Sequence, residues 1–328
     1  MWRSWAAGLA LMAVLGANAQ TARPPIFVLN SLDADISVID PVSFTVIKRF
    51  PTGKEPHHLY LSPDEKSLIV ANALGDSLTF VDQRTAEVQR VVRGIPDPYH
   101  LRFSPDMKWF VTASNRLDRV DLYRWQGSVA AEPLQLVKRI PAPKTPSHLN
   151  IDTKSSTLYV SLQDSDELLA VDLATQTVKW KQPVGKMPAD IYLTPDDKFI
   201  LVGLTGDKFV EVYDVSGAAP KLAKRIQTGN GAHSFRAWGD KRHVLVSNRA
   251  ANTISKIDTT TMSVVDQFPG PSGPDDLELL TDGKTLLVTS RWAGKVTEID
   301  TSTRKVVRQV KVGKSPHGIW TLDHKPRL

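Results

Sequence analysis

Apolar and turn-forming positions alternate along this chain in short, regular blocks. Downstream of Pro56 the apolar runs cover residues 58–61, 67–72, 77–81 and 87–92, are rich in Leu, Val and Ile, and are separated by turn residues. Runs of this length between turn formers predict β-strands. The block restarts at Pro98, Pro146, Pro188, Ala232, Pro274 and Pro316, at intervals of 42 to 48 residues. A repeat of that period marks an array of supersecondary units rather than independent domains, and four strands per unit is the pattern of propeller blades. Three more candidate strands precede Pro56, at 26–30, 36–40 and 45–50, and the chain ends on another at 317–321. Joined, these four make one complete blade from both chain ends. The expectation is an all-β, seven-bladed β-propeller with four antiparallel strands per blade. Its composite blade closes the ring and leaves no open edge at the centre.

The turns carry their own signals. Ser62-Pro63-Asp64, Ser104-Pro105-Asp106, Thr194-Pro195-Asp196 and Thr281-Asp282-Gly283 stand between first and second strands, as hairpin turns in which Pro presets φ and Asp bonds its own backbone. Between third and fourth strands an aspartate recurs as Asp40, Asp82, Asp121, Asp172, Asp214, Asp258 and Asp300. Seven carboxylates in register suggest a catalytic set, yet each ends a strand and opens a turn, so bonds to turn N–H groups are expected. Residues 125–133 and 216–220 are insertions at the same connection. Trp109, Trp180, Trp238 and Trp320 are expected to pack between blades.

Composition narrows the function. Arg3, an apolar run over 6–16 and Ala17-Asn18-Ala19 predict a cleaved signal peptide at 1–19, a single propeller domain over 20–328, and a periplasmic or secreted protein. No later segment approaches the roughly 20 apolar residues of a membrane helix. With no cysteine, disulfides, thiolate metal sites and C-x-x-C-H haem attachment are excluded. The net charge of +6 is dispersed, which argues against nucleic acid as a partner. There is no G-x-S-x-G, G-x-G-x-x-G or Walker-type loop.

Gly53, Pro56, Ser62-Pro63-Asp64 and Val70-Ala71-Asn72, with Val246-Ser247-Asn248 ahead of 254–258, resemble the repeats of YVTN-type, YncE-like seven-bladed propellers. The resemblance covers residues 20–328 and implies the same fold. The group and its relatives include periplasmic proteins of unclear role and the propeller that binds haem d1 in a nitrite reductase; more distant propellers hold copper between inner-strand histidines. A fold of this kind does not choose among such functions.

Histidine distinguishes this chain. Aligning the units puts His58, His100, His148, Asp190, Ser234, Asp276 and Gly318 in one column, preceded by His57, Tyr99, Ser147, Ala189, His233, Asp275 and His317. Six of the eight histidines fall in these two columns, where chance would place fewer than one. Both columns open the innermost strand of a blade, so all are expected around one channel mouth. Imidazoles with carboxylates and no thiolate suit copper, zinc or iron, and His58, His100, His148, Asp190, His233, Asp276 and His317 are the candidate metal ligands. In pairs such as His57-His58, strand alternation is expected to send one member to a supporting position or between blades. Loops after the second strands should bring Asn72, Asn115, Gln163, Asn248, Arg116, Arg249, Arg291 and Trp292 to the same rim. Of these, Arg116, Arg249, Arg291 and Trp292 are candidates for holding an organic cofactor. A tetrapyrrole would take an axial histidine and pair its carboxylates with the arginines. A lactonase-like hydrolysis would use histidine as base. A polar ring without chemistry, on a monomeric scaffold that binds a small molecule or another protein, is the remaining alternative.

Overall fold

The computed structural model describes residues 23–326; the signal peptide predicted at 1–19 lies outside them. Seven four-stranded antiparallel sheets follow one another around a ring. Blade 1 consists of Pro56–Leu61, Leu68–Asn72, Ser77–Val81 and Val88–Arg93. The innermost strands of blades 2 to 6 are His100–Phe103, Pro146–Ile151, Pro188–Leu193, Ala232–Ala237 and Pro274–Leu279. Blade 7 is the expected composite. Its inner strand Pro316–Thr321 pairs with Ile26–Asn30, with Ile26 opposite Thr321, and Asp35–Asp40 and Thr45–Pro51 complete it. The one helical element among the described residues is a 3-10 turn, Ala73–Gly75.

Burial explains the differing strand patterns. Second strands such as Leu68–Asn72 and Trp109–Ser114 are buried at every position, because neighbouring blades cover both faces; they read as continuous apolar runs. The outermost strand Thr45–Pro51 is mostly exposed or half-buried and carries charge. Trp109, Val111 and Leu122 of blade 2 pack against Leu149, Leu158 and Val160 of blade 3, and each such side chain contributes about 1.5–3 kcal/mol on burial.

Six of the seven turn aspartates do what their position predicts. Asp40 accepts from the Val42 and Ser43 amides at 3.1 and 2.7 Å, and Asp82, Asp172, Asp214, Asp258 and Asp300 are bonded in the same way. Asp121 departs from the pattern. The insertion at 126–133 removes its turn, and the carboxylate is fully buried against Arg119 and Arg139.

Each inner strand is entered through a left-handed residue. Glu55, Asp97, Thr145, Met187, Gly231, Gly273 and Ser315 all have φ between +48° and +79°, and each immediately precedes the Pro or Ala at which a repeat restarts. Five of the seven are not glycine, a conformation that costs roughly 1–2 kcal/mol each.

Candidate metal centre

The two histidine columns lie on a β-bulge repeated in every blade. In blade 1, Pro56 pairs with Asn72 and Leu59 with Val70, so His57 and His58 together face Ala71. The same shift occurs in blades 3 to 7. In blade 2, Tyr99 donates its amide to Ala113 O at 2.9 Å while His100 is the pairing partner of Ala113. A bulge breaks the alternation of the strand and re-aims its side chains. The amide it frees must find another acceptor: His148, Ser234 and Asp276 donate theirs to Ser161, Ser247 and Thr289 hydroxyls at 3.0, 3.1 and 2.9 Å.

Strand alternation therefore does not apply at the His57-His58 pair, and only His58 of the two lines the cavity below. Their ring centroids are 4.7 Å apart, and both rings contact His317, at 3.8 and 4.8 Å. His58 also touches His100 and His148 at 4.3 and 5.1 Å, and His148 touches His233 at 5.6 Å. All six histidines form one continuous cluster. Donor nitrogens of His57, His58 and His317 lie within 4.8 Å of one another, and the Nε2 atoms of His58 and His317 are 3.4 Å apart. Two ligands held at about 2.05 Å on a tetrahedral ion stand about 3.3 Å apart. His57, absent from the candidate ligands read from sequence, belongs to this group. Its Nδ1 is buried with no hydrogen-bond partner, as is that of His100.

Asp275 organises the ring from above. It is fully buried, accepts from Arg249, and has His317 Nδ1 at 2.5 Å, His233 Nδ1 at 3.2 Å and Arg291 Nη1 at 3.4 Å. Burial alone would raise its pKa, but the surrounding His317, His233 and Arg249 hold the carboxyl well below its ordinary range. A carboxylate on Nδ1 fixes the tautomer of His317 and leaves Nε2 free to bind an ion. His233 is oriented differently, for its Nε2 accepts from Arg249 at 2.5 Å. Burial, reinforced by neighbouring positive charge, depresses the pKa of His57, His58, His100 and His233 and brings His148 to about 3. These imidazoles are neutral at pH 7, and all but His233, whose two nitrogens are engaged by Arg249 and Asp275, can offer a lone pair.

All seven ligands named from sequence, His58, His100, His148, Asp190, His233, Asp276 and His317, line one cavity of about 80 Å³. Its lining continues along the inner strands to Tyr60, Arg102 and Phe235, toward the Ser-Pro-Asp hairpins. The ring thus closes the channel on the side expected to be its mouth, and the cavity faces the other way. Asp190 accepts from Phe235 N at 2.8 Å and Asp276 from Ile319 N at 3.4 Å, each bridging to the next blade's inner strand. Burial pushes the Asp190 carboxyl up to about 7.

None of the four rim residues lines the cavity. Arg116 pairs with Asp97 at 3.2 Å and Asp76 at 3.7 Å, Arg249 and Arg291 are engaged by Asp275, and Trp292 is exposed beside Leu32 in a separate surface groove. Asn72 and Asn248 are not on the rim either. They are fully buried, and their Nδ2 atoms donate to Thr79 and Ser255 hydroxyls of the next strand.

The fold and site define a seven-bladed propeller with a histidine cluster plugging its channel. The chain matches the YNCE-like beta-propeller family over residues 4–327 and belongs to that family. It is 23% identical over 263 residues to the uncharacterized protein YncE of Salmonella typhimurium, covering 75% of this chain and 72% of that protein. Among solved structures, a functionally unknown protein from Desulfotomaculum acetoxidans superposes with a TM-score of 0.76 at 14% identity, covering 90% of this chain and 98% of that one. Dihydro-heme d1 dehydrogenase NirN in complex with DHE superposes with a TM-score of 0.67 at 16% identity, covering 91% and 75%. At these identities the structural likeness speaks for the fold.

Proposed function

We propose that this protein is an exported propeller that holds a transition-metal ion, copper, zinc or iron, in its channel through His57, His58 and His317, with His100 and His148 close enough to complete or exchange ligands. One observation carries this reading: donor nitrogens of three imidazoles, His57, His58 and His317, lie within 4.8 Å of one another, and the Nδ1 of His317 is held by the buried carboxylate Asp275. Buried nitrogens without partners, on His57 and His100, are unfavourable in a ring whose role is only structural; an ion would satisfy them. Three imidazole ligands with the cavity on their open side resemble catalytic rather than closed structural sites. A bound ion would supply Lewis acidity or electron exchange there. Asp275 would orient His317 through its Nδ1, and the closed upper ring would keep water from reaching the ion on that side.

A tetrapyrrole is supported less well. The cavity of about 80 Å³ is far smaller than a macrocycle, and Arg116, Arg249 and Arg291 are already paired with protein carboxylates. Elemental analysis of the purified protein tests the proposal. About one copper, zinc or iron per chain is expected; a preparation that contains none and takes up none on dialysis against each ion would overturn it.

A further inference from the structure

The histidine cavity continues beyond its own floor. Toward the hairpin face it meets a larger space of about 330 Å³ between blades 1 and 2, and Tyr60 and Arg102 line both. Ligand pockets commonly span about 300–1,000 Å³. The wall of this vestibule is mostly apolar: the Tyr60 and Phe103 rings stand 5.9 Å apart, with Leu61, Pro105 and the half-exposed Met107 around them, and Glu65 is the one carboxylate among the described residues in its lining. The positive charge of the lining stands at the neck, on Arg102. Every other arginine near the channel is neutralised, Arg116 by Asp97, Arg249 and Arg291 by Asp275, and Arg236 by Glu278 at 2.7 Å. Arg102 is not. Its guanidinium donates to Asn150 Oδ1 at 3.1 Å and lies 5.8 Å from the Tyr60 ring centroid, and no carboxylate stands within ion-pair distance of it among the described residues. Asp190 feels its charge across the cavity but is bonded to the Ile191 and Phe235 amides.

An unpaired guanidinium at the base of an apolar funnel favours a ligand that brings its own negative charge, and a planar carboxylate fits the two-pronged fork of arginine. We propose that this vestibule binds a small aromatic carboxylate, its ring between Tyr60, Phe103 and Met107 and its carboxylate on Arg102. The ligand sits where its charged end faces the histidine cavity, yet the site does not depend on a metal being there.

The test is calorimetric titration of benzoate into the full chain with chelator present, so that its outcome is independent of the metal reading, with benzyl alcohol as the uncharged comparator. Saturable benzoate binding is expected, at least about ten-fold tighter than benzyl alcohol and about ten-fold or more weakened by Arg102→Gln, the range for a hydrogen-bonded charge pair. Met107→Asp provides a second variant should Arg102→Gln not fold; Met107 is an exposed turn residue with φ +60°, and a negative charge there should weaken benzoate while leaving benzyl alcohol unchanged. Absence of saturable heat, equal affinity for the two compounds, or unaltered benzoate binding in either folded variant would overturn the proposal.

Discussion

Two sevenfold columns run through this molecule. The turn column holds aspartate in all seven blades, and six of the seven bond nearby backbone or hydroxyl groups of their own turn. The inner-strand columns are uneven: histidine, tyrosine, serine, alanine, aspartate and glycine share one backbone bulge. Where every blade needs the same local bond, the residue repeats. Where side chains from seven blades meet at one place, each must be different to build a single site. Seven identical carboxylates thus mark architecture, and the irregular column marks the place for chemistry.

The largest expected contrast between the columns is in stability. Asp275→Asn would leave Arg249, Arg291 and two histidines around a neutral group, and losing one partner of a buried charge cluster costs about 3–5 kcal/mol. Asp172→Asn, on an exposed turn, should cost no more than about 1 kcal/mol. Urea unfolding of both variants measures the difference, and equal losses would mean that the ring and the turns play the same role.

Acid should separate the columns next. In the folded state five imidazoles are depressed below the ordinary histidine value of 6.5, so the unfolded chain binds more protons as pH falls through that value. Stability is then fully present above pH 6.5 and declines below it, by up to about 1.4 kcal/mol per pH unit for each buried imidazole. Asp190, raised to about 7 by burial, works in the opposite sense and favours the fold as pH drops from 7. The turn aspartates are lowered from 3.8, and their contribution is lost only below about that pH. A urea midpoint that stays flat between pH 7 and 5 would contradict the histidine assignment.

A smaller effect concerns the supporting histidines. His100→Ala and His148→Ala should weaken metal binding by about 10- to 100-fold if they act around the three-histidine group, with little shift in the thermal transition. A large loss of thermal stability with unchanged metal content would instead assign them to packing.

Much of this was legible in the chain. The 42-residue spacing and the Pro-led inner strands carry the ring, the closure by both ends and the positions of the turns, because hydrophobic period and turn chemistry are local. The histidine enrichment was legible for the same reason. The bulge was not: a strand read with period two sends His57 and His58 to opposite sides, and the extra residue shows only in the pairing of Pro56 with Asn72 and Leu59 with Val70. Nor was the role of Asp275 visible beside Asp276, since it depends on arginines 26 and 16 residues away and on His317 at a distance of 42. The side on which the channel opens depends on side-chain packing across all seven blades, which no single repeat contains.

The most direct measurement is a calorimetric titration of metal-stripped protein with copper or zinc, comparing the wild-type chain with His58→Ala and with Asp172→Asn. The account predicts one ion per chain in the wild type and in Asp172→Asn, and loss of that binding in His58→Ala with the fold retained. No uptake by the wild type, or equal uptake by a folded His58→Ala, would contradict it.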